Sequence, residues 1–349
     1  MRVSSVTTMK NEGPFLLEWV AYHRLIGVND ILVFSNDCTD GTEQMLERLD
    51  EMGLVRHYPN PSFLTGSSKF HLQVIRYANG FPRLRRSDWV VSLDVDEFIC
   101  VNAGQGRLED LFNATADANV IVMSQHNFGH GGVERFRDAP LTEQFRYSWS
   151  KSAPYHRAMN KRGTKSLTHR SSNPREWHNH SPIFAPKHAR AVRGVNGSGT
   201  RLPPTTDYTR DIKALVAPNY GFDLVQLNHY ALRSVDSFLL KIARGNANHP
   251  DAAYQMGYWR KYDRNDHFDD KIQRQVARIN AAREELLTDP ELRRLHQASV
   301  AQARTRIEEL RGRADIQSML SRIGAYCRRN PGLLRRANQD ASDALSISA

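Results

Sequence analysis

Residues 2–9, "RVSSVTTM", form a run rich in Val and Thr that predicts a strand. Residues 13–27 then place Phe15, Leu16, Trp19, Val20 and Leu25 at helical spacing, with Pro14 suited to a first turn and Gly27 to a helix end. "DILVFSND" (30–37) predicts a second strand. "CTDGTEQMLERLDEMG" (38–53) predicts a turn, a cap at Thr42 and a helix that stops at Gly53. A third strand is expected over 54–58, a helix over about 68–80 and a fourth strand over 88–93. This alternation argues for a parallel sheet with helices on both faces. Such sheets bind ligands beyond the carboxyl ends of their strands, near the switch in strand order. Lys10–Asn11–Glu12, Asn36–Asp37 and the acids Asp94, Asp96 and Glu97 all follow predicted strands.

The pattern then loosens. "NVIVMSQHNFGHGG" (119–132) reads as a strand entering a His- and Gly-rich loop, "QFRYSW" (144–149) as another strand, and 165–187 as a stretch rich in His, Pro, Asn and Arg. "LVQLNHYALRS" (224–234) predicts a strand that ends near His229, and 234–245 a helix capped at Ser234. From about 270, successive Arg-, Ala- and Leu-rich helices follow, the second with Pro290 in its first turn. The tail, 337–349, has the composition of a disordered segment. The expected division is 1–245, with a nucleotide-binding half at 1–101 and an acceptor-side half at 102–245, then a helical extension at 246–336.

The bulk numbers narrow the setting. With 349 residues, 40% of them hydrophobic, the chain can bury a large core. The net charge of +10 suits an anionic ligand or surface, or is only a generally basic exterior. Cys38, Cys100 and Cys327 are odd in number and widely spaced, which favours a reducing compartment. No signal-peptide core or membrane-span-length apolar run stands out, so a cytoplasmic protein is expected. Zinc-knuckle and aromatic RNP signatures are absent, so no nucleic-acid partner is expected.

"WVVSLDVDEFICV" (89–101) sets three carboxylates into an apolar run. Side chains of a strand repeat every two residues, so Asp94 and Asp96 share a face. Two oxygen ligands there suit Mg²⁺ or Mn²⁺ shared with phosphates; a capping or turn role is the other reading.

"TTMKNEGPFLLEWVAYHRLIGVNDILVFSNDCTDGT", then "WVVSLDVDEF", then "LNHYALRSVDSFLLKIARG", resemble family 2-type glycosyltransferases, in the subgroup related to family 92. The resemblance covers much of residues 5–245 and none of the last 80 or so. It implies an α/β GT-A fold, Rossmann-like, with a mixed, mostly parallel sheet flanked by helices and, here, a C-terminal helical extension. It implies sugar transfer from a nucleotide-sugar donor, a UDP-sugar being favoured, to a saccharide or lipid-linked hydroxyl acceptor. It implies Mn²⁺ or Mg²⁺ held by Asp96 and His229 with Asp94 beside them, Asp94 also serving the donor ribose. Thr8, Asn11 and Glu12 would line the nucleoside pocket, although Glu12 equally suits a helix cap.

Asp37, an acceptor-only group, would read base or ribose, but "NDCTDGT" is also rich in turn formers. Lys69 and Gln73 share a helix face that would meet donor phosphates or merely be solvated. An inverting transfer needs a base, and the loop at 125–135 offers His126, His130 and Glu134, with Asp138 following; His130, Glu134 and Asp138 are the leading candidates. Trp177 and His178 would contact sugar. The basic C-terminal helices would touch an anionic membrane peripherally. The competing whole-protein readings are a non-catalytic basic binding protein and a nucleotidyltransferase; the single glycine of "KNEGPF" disfavours the latter.

Overall fold

The computed structural model describes residues 1–66, 69–150, 161–245 and 256–329. The expected tail at 337–349 lies outside them. Strands β1 (Val3–Met9), β2 (Asp30–Ser35), β3 (Arg56–Pro59) and β4 (Trp89–Ser92) pair in parallel in the order β3-β2-β1-β4. The order reverses beside β1, and the crevice between β1 and β4 opens there. Their side chains are buried on both faces by turns. Val3, Met9, Ile31, Val33, Trp89 and Val91 enter the main core, while Val6, Leu32, Phe34 and Val90 enter a second core on the opposite face. Burial on both sides explains why these strands read as near-continuous apolar runs.

Helix α1 (Gly13–Ile26) and helix α2 (Thr42–Glu51) cover the first face, and helix α3 (Phe70–Ala78) covers the second. All three lie within one or two residues of their expected bounds. Thr42 is the first helical residue rather than the cap; Gly41 takes that position with φ 85°, and Thr42 instead accepts from Glu12 N at 2.9 Å.

The sheet continues through β5 (Glu97–Val101), β6 (Val120–Asn127), β8 (Lys161–His169) and β11 (Val225–His229), in the order β4-β8-β6-β11-β5. Two short strands, β9 (Gly194–Asn196) and β10 (Ala214–Val216), flank β6 and β8. β7 (Tyr147–Ser148) pairs with β12 (His267–Phe268) in a separate ribbon, so the expected 144–149 strand is reduced to two paired residues. The longest strand not expected from the sequence is β8. Its "TKSLTH" alternates inside a segment whose His, Pro and Asn content reads as loop. β8 runs antiparallel to β4 and β6, whereas β11 is parallel to β6. The carboxyl ends of β1, β4, β6 and β11 and the amino end of β8 therefore share one edge.

Helix α5 (Val235–Arg244) follows, after helix α4 (Leu108–Ala114) earlier in the chain. Its Ser234 cap is as expected: Ser237 N donates to Ser234 Oγ at 3.0 Å. Then come α6 (Met256–Tyr262), α7 (Val276–Leu286), α8 (Pro290–Arg311) and α9 (Ala314–Arg329). These helices are packed onto the sheet domain. Ile279, Leu286 and Leu292 join the main core, and a Cβ on Gly13 would meet Ser299 Oγ of α8 at 2.1 Å. Among the described residues no helix is long and apolar enough to cross a membrane.

The "EWVAYH" stretch of α1 bolts that helix to the strand beyond the acidic turn. Trp19 Nε1 donates to Glu97 O at 3.1 Å, and Tyr22 OH to Ile99 O at 2.8 Å. Buried Glu18 accepts from Leu141 N, Thr142 N and Thr142 Oγ1, satisfying the start of a short helical turn. His23 is buried among the rings of Trp19, Tyr22 and Phe98, and burial holds its imidazole neutral, with a pKa lowered to about 3. A base whose folded pKa is depressed contributes stability present above about pH 6.5 and lost as pH falls toward the folded value. His23→Phe keeps an aromatic ring there and removes that titration. Urea unfolding should find its stability flatter than wild type between pH 6.5 and 4, by up to about 1.4 kcal/mol per pH unit.

Candidate active site

A cavity of about 460 Å³ opens at the shared strand edge. β1 and its following loop supply Thr8, Lys10 and Glu12; the turn after β4 supplies Asp94, Val95 and Asp96. Gln125 comes from β6, Gly163 from β8 and His229 from β11. Lys241 and Arg244 of α5, and Tyr258, Lys261 and Tyr262 of α6, close the far side. Lys10, Lys213, Lys241, Arg244 and Lys261 outnumber Glu12, Asp94 and Asp96, so the cavity as lined favours an anion.

The acids sit in the turn between β4 and β5 rather than on a continuous strand. Glu97 is buried and anchors that turn. It accepts from Asp94 N at 3.0 Å and from Gln125 Nε2 at 2.8 Å. Burial raises its carboxyl pKa, and Lys165 works against that rise. Fully buried Lys165 places Nζ 3.4 Å from Asp94 Oδ2 and 3.5 Å from Glu97 Oε2, and donates to Asn179 Oδ1 at 2.7 Å. The two carboxylates outweigh the cost of burying its ammonium and raise its pKa. His71 Nδ1 lies 3.8 Å from Asp94 Oδ1; burial lowers its pKa to about 4, keeping it neutral. Burial pushes the Asp94 carboxyl up, but Lys165 and His71 bring it below its usual value.

Asp96 faces a second set. Lys241 Nζ donates to Asp96 Oδ2 at 2.8 Å, to Ala231 O at 2.8 Å and to Tyr258 OH at 3.2 Å. His229 Nε2 lies 3.6 Å from Asp96 Oδ1, and its Nδ1 is bonded to Asn127 Oδ1 at 2.7 Å. Burial opposes the Asp96 charge, but Lys241 and His229 hold its carboxyl well below the ordinary range. With Nδ1 bonded to Asn127 Oδ1, Nε2 is the imidazole nitrogen turned toward the Asp96 carboxylate. The two atoms lie 3.6 Å apart, a spacing at which one cation could be held by both. A carboxylate oxygen with an imidazole nitrogen suits Mn²⁺, and less strongly Mg²⁺. Asp96 and His229 therefore fit a divalent cation, with Lys241 left on the other carboxylate oxygen. Asp94 does not close the set. Among the described residues, the one group of three His, Cys, Asp or Glu ligand atoms lying within 4.8 Å of one another is elsewhere, at His130, Asp263 and Cys327.

The other expected residues are spread more widely. Asn11, in a left-handed conformation with φ 51°, accepts from Thr39 N at 2.8 Å and lines a separate cavity beside α8. Asp37 (φ 47°) lines a neighbouring depression with Asn60, Phe63 and Phe70; Asn36 and Phe70 border the main cavity too. Lys69 is exposed at the α3 N-cap and Gln73 lies away from the cavity, which α3 meets instead with Phe70 and His71. His130 is buried with its Nδ1 2.7 Å from Asp263 Oδ1, and Asp138 is paired with Arg283 and His296. Neither they nor Glu134 line the cavity. Trp177 packs in the second core and His178 pairs with Asp211, while their neighbours Asn179 and His180 reach the cavity. Sequence reasoning missed Lys165, His71 and Lys241. Lys241 and Arg244 stood inside the quoted "LLKIARG" segment, whereas Lys165 lay in the unrecognised strand.

A sequence model of glycosyltransferase family 92 matches residues 3–207. The chain belongs to glycosyltransferase family 92. Curated relatives include a family 92 protein of Oryza sativa subsp. japonica, 30% identical over 129 residues, and one of Ricinus communis, 29% identical over 132 residues. These matches take in 36% and 37% of this chain but 21% and 23% of the relatives, so the chain spans under a quarter of their length. Among solved structures, S. aureus TarS 1-349 aligns over 89% of this chain and 91% of its own, at 13% identity and a TM-score of 0.31. The mixed sheet, parallel through its first four strands and flanked by helices on both faces, is the architecture expected of the family. The C-terminal helices are present as expected.

Proposed function

We propose that this chain transfers a sugar from a nucleotide-sugar donor, a UDP-sugar in the first instance, to a hydroxyl acceptor in this cavity. The observation that carries the reading is the meeting of Asp96, His229 and Lys241 at the crevice edge, ringed by basic side chains, in a chain of this family.

Mn²⁺ or Mg²⁺ would be held by Asp96 Oδ1 and His229 Nε2. Once bound, the cation supplies Lewis-acid neutralisation of the departing diphosphate. The chain's own groups add to this. Lys10, Lys241, Arg244 and Lys261 bind and orient phosphate oxygens, and Thr8 and Glu12 lie at the β1 end where the nucleoside would begin. Arg233 and Arg244 both pair with Glu12, fixing that wall. An inverting transfer requires a base for the acceptor proton. Among the carboxylates lining the cavity, Glu12 is tied to two arginines and Asp96 to Lys241. Asp94 is 43% exposed at its side chain, and we assign it to the acceptor hydroxyl. Lys165 keeps it ionised and ready to accept.

The setting, cell-surface polysaccharide or glycoconjugate synthesis on the cytosolic side, rests on the family reading. Peripheral membrane contact rests on exposed arginines of α8 such as Arg293 and Arg304. The full chain should sediment with anionic vesicles and not with neutral ones; equal recovery from both removes the membrane element.

The catalytic reading is tested by incubating the protein with UDP-, GDP- and dTDP-sugars plus Mn²⁺ and measuring released nucleoside diphosphate. Turnover of one donor class, lost in Asp94→Asn with nucleotide affinity retained, is the expected result. Release that is insensitive to Asp94→Asn contradicts the assignment of the base.

A further inference from the structure

Away from the cavity, His130, Asp263 and Cys327 each offer a ligand atom within 4.8 Å of the others. They come from three distant parts of the chain: the loop after β6, the residue after α6, and the last turns of α9. All three are buried, at 2%, 0% and 7% exposure. Asp263 Oδ1 is engaged by His130 Nδ1 at 2.7 Å and by Asn265 Nδ2 at 2.8 Å. Its Oδ2 is buried with no hydrogen-bond partner. Buried carboxylate oxygens are rarely left unsatisfied, because each costs free energy on the scale of a lost hydrogen bond. The surroundings are apolar: the Trp259 ring packs at a tilt 5.1 Å from His130, and Phe238, Met256 and Ile323 share the cluster with Cys327.

We propose that His130, Asp263 and Cys327 bind a zinc ion that staples α9 to the wall of the cavity. An imidazole nitrogen, a carboxylate oxygen and a thiolate form a donor set that zinc accepts. The thiolate steers the site away from Mg²⁺ and Mn²⁺, which prefer oxygen ligands. The two sites differ in the thiolate: an oxygen and an imidazole at Asp96–His229, a soft sulfur ligand added here. Zinc entry displaces the Cys327 thiol proton and the proton that His130 shares with Asp263, and both leave to solvent. Three protein ligands leave one tetrahedral position for a water. The consequence for the cavity follows from the chain. Asp263 directly succeeds Lys261 and Tyr262, which line it, so a staple at 263 fixes that wall.

The proposal is independent of the transferase reading and is tested on the full chain, purified without a metal-chelating tag from zinc-supplemented culture. Elemental analysis should find one zinc per chain. Removal with a chelator should lower the melting temperature, and Zn²⁺, but not Mn²⁺, should restore it. Cys327→Ser and His130→Gln should each bind zinc at least about tenfold more weakly, whereas Asp96→Asn should retain full zinc content. Wild-type protein that carries only trace zinc, and whose melting temperature is unmoved by added Zn²⁺, overturns the proposal. That result would leave a buried imidazolium–carboxylate pair, in which Asp263 outweighs burial and raises the His130 pKa to about 10. If the serine and glutamine variants do not fold, the wild-type measurements alone decide.

Discussion

Asp96→Asn should lower turnover about a thousandfold, on the order of 4 kcal/mol of transition-state stabilisation. The substitution removes charge and keeps shape. Asp96 is ionised because Lys241 and His229 outweigh the cost of burying it. Its amide analogue offers a weak, neutral oxygen to a cation and no counter-charge to Lys241. Donor affinity should lose its dependence on Mn²⁺, because Asp96 Oδ1 would supply the oxygen ligand opposite His229 in the proposed site. His229→Ala should resemble it in metal dependence, with Lys241 still seated on Asp96. The comparison is made by steady-state kinetics across Mn²⁺ concentrations, with far-UV circular dichroism confirming the fold. An Asp96→Asn enzyme within threefold of wild type would remove the carboxylate from the mechanism.

Lys165→Met should destabilise the protein by about 3–5 kcal/mol, the usual cost of breaking a buried ion pair from one side. The methionine fills the stem's volume but leaves Asp94 and Glu97 without their shared cation. Glu97 is fully buried, so water cannot take over. Lys165→Met/Glu97→Gln should recover part of the loss, since the second change removes a charge the first left unpaired. The pH dependence follows from the signs. Without Lys165 the two carboxyls titrate higher in the folded state than in the unfolded one. The folded state then binds more protons, so stability rises as pH falls through those folded values. The deficit of the single variant relative to wild type should therefore shrink on acidification. Chemical denaturation at neutral and mildly acidic pH measures it. A constant deficit would mean that Lys165 acts by packing rather than by charge.

These two residues also mark what the sequence made legible. Asp96 was readable because a carboxylate at the end of an apolar parallel strand has few structural reasons to be there, and the period-two repeat put Asp94 on the same side. What the repeat could not convey is that the chain turns after Ser92. The two acids consequently face different cations, Asp94 toward Lys165 and Asp96 toward Lys241. Lys165 was invisible because its strand is central in space but lies in a segment dominated by turn formers. Only the antiparallel pairing with β4 and β6 brings its amino end to the site. The base candidates show the converse. His130 sits in a Gly-rich loop after a strand, a plausible place for chemistry by local pattern. Long-range packing against Asp263, 133 residues onward, takes it into the interior instead. The "EWVAYH" stretch was prominent for a structural reason as well: Trp19 and Tyr22 hold β5, and with it the turn that carries the acids.

In the proposed function, Asp96 and His229 would hold a divalent cation that brings a nucleoside diphosphate into this cavity. Thermal melting of the wild-type chain with UDP, GDP, CMP or dTDP, each with and without Mn²⁺, tests it most directly. One nucleotide, expected to be UDP, should raise the melting temperature only when Mn²⁺ is present, and Asp96→Ala should show no such response. No shift with any nucleotide at millimolar concentration, or a shift of equal size without the metal, would contradict it.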